Sequence, residues 1–202
     1  MTKEQEILNA AEEEFFQNGY DATSTGAIAK RAGVTHAMVN YYFRTKEKLF
    51  IQILDNHVYD LLQTLKPLMR ADGDVVRVST DAAVVIFEKM IEDRRLPYII
   101  SDISRTHPDF LLRYKDTVEK VCGDSIRMHS ERLCRHIADG LARQCTMNDI
   151  YNAILTLAVG PFLTLPILEN VAGYDAARID AYLLARKEEM VRIMQARFAI
   201  TP

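Results

Sequence analysis

The sequence predicts an all-α protein, with a small three-helix helix-turn-helix domain followed by a larger helical bundle. Three observations carry this. Apolar residues recur at spacings of three and four along most of the chain. Only eight Gly and six Pro fall among 202 residues, and Gly19, Gly33, Gly73, Pro97, Pro108 and Gly173 punctuate the expected helices. Alternating strand-like stretches are nearly absent.

The first helix is expected from about Lys3 to Asn18, with Ile7, Leu8, Ala11, Phe15 and Phe16 as its apolar stripe and Gly19 as its stop. Thr25 is placed to cap a second short helix, which Gly33 ends. Thr35 then caps a third, from about His36 to Phe43. Thr45 caps a long fourth helix reaching about Leu65 or Met69, with Pro67 near its end. Ala71-Asp72-Gly73-Asp74 is a turn cluster. Further helices are expected at about 75–94, 96–105, 108–122 (continuing in some form to 143), 147–170 and 175–198.

Composition narrows the function classes. Hydrophobic residues make up 49% and charged residues 26%, ordinary for a globular chain. The formal net charge is -3, so an affinity for nucleic acid has to come from a local patch. Residues 30–48 hold five cations (Lys30, Arg31, Arg44, Lys46, Lys48) against one anion, Glu47, whereas residues 4–14 hold five glutamates and no cation. Cys122, Cys134 and Cys145 form no CxxC pair and have no metal-spaced histidines beside them, so reduced cysteines are expected and neither metal nor cofactor is. Met1-Thr2-Lys3-Glu4 is charged and no apolar run follows it, which argues against a signal peptide. The apolar stretch Ile150–Leu168 is broken by Gly160, Pro161 and Pro166 and reads as buried helix rather than a membrane span. A cytoplasmic location is expected. No phosphate loop, nucleophile elbow or metal-spaced set points to an enzyme, and Glu12-Glu13-Glu14 reads as a solvated helix face.

Gly33 allows the tight reversal by which a third helix crosses the second steeply. That geometry lets a helix-turn-helix present its second helix to the major groove. The run Thr25-Gly26-Ala27-Ile28-Ala29-Lys30-Arg31-Ala32-Gly33-Val34-Thr35, followed by Tyr41-Tyr42-Phe43-Arg44-Thr45-Lys46-Glu47-Lys48-Leu49-Phe50, resembles the DNA-binding domain of the TetR family of regulators. The resemblance covers roughly residues 4–52. It implies a helix-turn-helix domain at 1–48, an effector-binding and dimerisation domain at 49–202, and a repressor that binds a palindromic operator as a homodimer until a small-molecule effector releases it.

Apolar spacing assigns Ile28, Ala29, Ala32, Val34, Val39 and Phe43 to a small core. His36, Ala37, Met38, Asn40 and Tyr41 are left to face outward. Asn40 is the best base reader, since an amide pairs bidentately with adenine, and His36 can donate to guanine or phosphate. Ala37 and Met38 offer apolar contact to a thymine methyl. Thr25 and Thr35 stand at helix N-termini, where free N–H groups favour an anion. Tyr41, Tyr42 and Lys46 are further phosphate candidates, with Lys48 and Arg44 as added charge.

Beyond residue 52 the resemblance carries no residues across. It implies a dimer interface built from the last two long helices, at about 148–170 and 176–198, both apolar on more than one face. Effector candidates are residues combining bulk with a polar handle: His57, Tyr59, Phe87, Met90, Tyr98, Asp102, Tyr114, Cys122, His129 and Phe162. Their mix suggests a moderately apolar ligand.

Overall fold

A computed structural model describes residues 2–200. Its helices are α1 (Lys3–Ala22), α2 (Thr25–Arg31), α3 (His36–Phe43), α4 (Lys46–Arg70), α5 (Val75–Glu92), α6 (Leu96–Thr106), α7 (Pro108–Ala138), α8 (Met147–Ile154), α9 (Gly160–Leu163), α10 (Leu165–Asn170) and α11 (Ala176–Phe198). A π-helical turn, Leu155–Val159, joins α8 to α9. Among the described residues there is no strand, only one isolated bridge between Ala142 and Ala199. The all-α expectation therefore holds.

Two compact units make up the chain. Residues up to Asp60 together with Tyr98–Thr117 form one, and Leu61–Pro97 together with residues from Val118 onward form the other.

In the first unit, Ile7, Phe15, Ile28, Leu49 and Phe50 are fully buried in one apolar cluster. Phe50 meets Phe15 edge-on at 4.8 Å and Tyr20 at 4.8 Å, an arrangement that aromatic quadrupoles favour. The first helix is longer than its stripe suggests. Gly19 takes φ 79° and kinks it, and one more turn reaches Ala22. The α2 cap is Ser24 rather than Thr25: Ser24 is extended and its side chain accepts from Ala27 N at 3.1 Å. Thr25, one residue inside, is left with its hydroxyl available for another partner.

In the second unit, α5 packs against α11 and the π turn. Phe87 and Phe162 meet at 5.0 Å in a core that also buries Ile150, Ala158, Ile179, Met190 and Met194. The most apolar 18-residue window of Met147–Asn170 has a mean hydropathy of 1.6, and the segment is long enough to cross a membrane on length and composition alone. It is not the buried helix the sequence suggested, since only 22% of its most apolar window is buried. Pro161 and Pro166 each sit in the first turn of a short helix, where a missing N–H is tolerated, so the stretch is stepped into α8, a π turn, α9 and α10.

Candidate functional site

The helix-turn-helix is built from local rules. After Arg31, Gly33 adopts φ 63°, the left-handed region that side chains other than glycine avoid. Val34 N–H then donates back to Ala29 O at 3.0 Å and closes the turn. Thr35, extended, accepts from Met38 N at 3.3 Å and starts α3. Below α3, Val39 (2% exposed) and Phe43 (4%) pack on Ile28 and Ala29, while Ala32 and Val34 are partly buried against them.

That packing fixes which face looks out. Thr35, His36, Ala37, Asn40, Tyr41 and Tyr42 are exposed, and Thr25 and Met38 are half-buried. Tyr41 is 72% exposed, an unusual state for a large ring, and stands edge-on to Tyr42 at 5.3 Å. Three of these side chains are tied together. Asn40 Nδ2 lies 3.4 Å from His36 Nδ1, and His36 Nε2 lies 2.8 Å from Thr25 Oγ1. If Asn40 donates to Nδ1, the ring proton is on Nε2 and points at Thr25.

The basic patch is smaller than its count. Arg31 Nε donates to Glu14 Oε1 at 2.6 Å and Arg31 Nη2 to Gln17 Oε1 at 2.9 Å, joining α2 to α1. Glu14 is therefore buried beside a cation, not part of a solvated glutamate face. Glu12 likewise faces His57 Nε2 at 2.9 Å. Lys46 also departs from expectation. Its ammonium donates to the carbonyls of Tyr20 (3.0 Å), Thr23 (3.1 Å) and Asp21 (3.4 Å) and lies 4.4 Å from the Tyr20 ring centroid. A cation at the C-terminal carbonyls of α1 suits that helix's dipole, which explains the choice. Lys30, Arg44 and Lys48 are exposed.

Arg44 holds the turn into α4 with φ 64° and ψ -50°. Thr45 N–H donates across it to Phe43 O at 2.7 Å, the strained positive-φ form of the three-residue turn. Thr45 then caps α4, accepting from Lys48 N at 3.1 Å.

The second unit holds a cavity of about 90 Å³. Leu65 and Met69 of α4, Val78, Ser79, Ala82 and Ile86 of α5, His129 of α7, and Met147, Ile150, Tyr151 and Ile154 of α8 line it, with Leu155 of the π turn. The α8 residues recur at intervals of three and four, the signal by which the sequence marks this wall. Of the effector candidates read from the sequence, His129 lies on this wall. His57 stacks on Phe16 at 5.6 Å in the first unit, where Tyr98, Asp102 and Tyr114 also belong. Tyr59 is 50% exposed. Phe87, Met90 and Phe162 are core, and the Cys122 thiol donates to Leu62 O at 3.5 Å. Bulk with a polar handle is a property shared by ordinary core residues, so it selected across both units. Ser79 and Tyr151 were missed.

Comparison with known proteins bears on the first unit most directly. Residues 7–53 match the family described as bacterial regulatory proteins, tetR family. The chain is 44% identical over 55 residues to the HTH-type transcriptional regulator QacR of Staphylococcus aureus, covering 27% of this chain and 29% of that one. It is 31% identical over 123 residues to the HTH-type transcriptional activator FasR of Mycolicibacterium smegmatis, covering 60% and 55%. The chain thus spans about half or less of these relatives' lengths. The solved structure of the fatty acid degradation regulator FadR from Bacillus halodurans superposes with a TM-score of 0.64 at 18% identity, covering 96% of this chain and 95% of that one, a likeness of fold.

Proposed function

Because the chain belongs to the TetR family of bacterial DNA-binding transcriptional regulators, we propose that it is a ligand-responsive repressor, binding a palindromic operator as a homodimer and released by a small-molecule effector. The family is one of regulators and not of enzymes. The reading rests above all on α3, which buries Val39 and Phe43 and turns His36, Ala37, Asn40 and Tyr41 to solvent. Residues 1–48 are then the DNA-binding domain and 49–202 the effector-binding and dimerisation domain. Asn40, His36, Ala37 and Met38 read bases, and Thr25, Thr35, Tyr41 and Tyr42 position phosphates. Lys46 serves the DNA indirectly, by fixing α1 against the start of α4.

The dimer interface is assigned to 148–170 and 176–198. Leu155 (54% exposed), Ile167 (59%) and Leu184 (56%) leave apolar surface on both segments, as an isologous interface requires. The effector site is the cavity around His129. Leu65 and Met69 on α4 line it, and the same helix begins at Lys46, so a ligand that moves α4 can reach the DNA-binding helices. A cytoplasmic location follows from this role.

A mobility-shift titration on DNA from upstream of the chain's own gene tests the reading. With about eight phosphates neutralised per dimer, a log–log salt slope of about -7 is expected. The absence of a saturable, salt-dependent shift would remove the DNA-binding role. Activation is the second reading, since FasR is named an activator. A promoter–reporter fusion in cells with and without the protein separates the two by the sign of its response.

A further inference from the structure

The cavity of the second unit offers a guest almost nothing to hydrogen-bond. Nine of its twelve lining residues are aliphatic or methionine, among them Leu65, Met69, Ile150 and Ile154. Of the three polar side chains, two are committed to each other. Ser79 Oγ donates to Val75 O at 2.8 Å, one turn back along α5. A hydroxyl has a single proton, so across the 3.0 Å separation from His129 the ring Nε2 is the donor and Oγ the acceptor. The other ring nitrogen, Nδ1, is buried and out of a guest's reach. Tyr151 adds one hydroxyl, on a ring that is 49% exposed and so stands at the rim, as Leu155 does.

Charge has no partner on this wall either. The lining holds no carboxylate, lysine or arginine. Burial above all, then the neighbouring charges of Arg132 and His136, lowers the His129 pKa to about 4, so its ring is neutral at physiological pH. An ion entering the cavity would give up water without meeting a counter-charge, and a neutral polar group would give up water without meeting a partner. An apolar group loses nothing on leaving water and gains from its burial. A volume of about 90 Å³ accepts a single ring or a short chain. The ring is favoured, because a chain of that volume has more rotatable bonds to immobilise. Met69 and Met147 are unbranched and can adjust around it.

We propose that the effector is an uncharged hydrocarbon of about one ring, of the alkylbenzene class, held by apolar contact with no hydrogen bond to the protein. This rests on the reading of the cavity as the effector site, and the test keeps the two apart.

Titration calorimetry on the full chain compares toluene with phenol, which has nearly the same shape and a hydroxyl in place of the methyl. Toluene is expected to bind at least about tenfold more tightly, because the phenol hydroxyl leaves water for no partner. Tyr151→Phe should leave toluene binding unchanged. Ala82→Leu, which fills space at the wall, should abolish it. Should that variant fail to fold, Ile154→Ala, which enlarges the cavity, is expected to turn the preference from toluene towards naphthalene. Saturating toluene should also weaken binding of the unaltered protein to labelled promoter DNA, read by fluorescence anisotropy. Phenol bound as tightly as toluene overturns the apolar class and leaves the cavity as the effector site. Toluene binding that neither cavity variant alters overturns the assignment to this wall. Toluene bound there without effect on DNA binding removes the effector-site reading, and the proposal with it. Binding of neither probe overturns both.

Discussion

Thr25 Oγ1 and His36 Nε2 lie 2.8 Å apart, so the first residues of α2 and α3 are hydrogen-bonded across the turn that separates them. Both stand where a helix N-terminus favours an anion. Their bond therefore holds two of the proposed DNA-contact side chains in one orientation.

A double-mutant cycle reads that relationship. Thr25→Ala and His36→Ala should each weaken operator binding, and together they should cost less than their sum, with a coupling of about 0.5–1.5 kcal/mol. Fluorescence anisotropy with labelled promoter DNA measures it. Strict additivity would mean that the two act independently.

Lys46→Met separates a structural role from a phosphate contact. Loss of three donated bonds to the carbonyls of Tyr20, Asp21 and Thr23 should lower stability by about 1–3 kcal/mol. In urea unfolding the midpoint should fall with the m-value unchanged. Unaltered stability, with a salt slope flattened by about two per dimer, would place the ammonium on DNA instead.

Arg44 carries backbone strain at φ 64°. Arg44→Gly relieves it, less the extra unfolded-state entropy of glycine, for a net gain of about 1 kcal/mol. The melting temperature should rise by about 2–4 °C, while DNA affinity falls through the lost charge. A lower melting temperature would show that the Arg44 side chain contributes more than its backbone costs.

Acid should destabilise the fold through His129. Its native pKa of about 4 lies below the 6.5 of the unfolded chain, so the unfolded state takes up the proton first. Stability is complete above pH 6.5 and declines as the pH falls towards 4, by about 3 kcal/mol from this group. His129→Leu should flatten that part of the profile, as read by urea midpoints across pH. An unchanged profile would place the acid sensitivity in other groups.

Local rules made the first unit readable. Gly33 and Thr35 announce a turn and a cap by residue type alone, and the four-residue rhythm of Val39 and Phe43 tells which face of α3 is hidden. Capping was misplaced by one residue because Ser24 and Thr25 are chemically equivalent candidates, and only the backbone angle chooses. The Glu14–Arg31 pair could not be seen, since its partners are 17 residues apart and meet only once α1 and α2 pack. Lys46 was misread for a similar reason: the carbonyls it meets belong to a helix end more than twenty residues earlier. The cavity is harder still. Its wall is assembled from four helices and a π turn, and nothing in the local sequence separates a Met that lines a void from one that fills a core.

The π turn at Leu155–Val159 has a bearing on heredity as well as on shape. Widening one turn admits an additional residue, and each residue advances a helix by roughly 100°. Ile150, Ala158 and Phe162 are all buried although their spacing of eight and then four residues would drift around an ordinary helix. A single-codon deletion within the turn would regularise it and swing everything downstream by that angle. Leu163 and Ile167, now exposed, would rotate with it and carry the proposed subunit contact to a new bearing. A change of one amino acid in length is thus a short evolutionary route to a different geometry for that proposed contact.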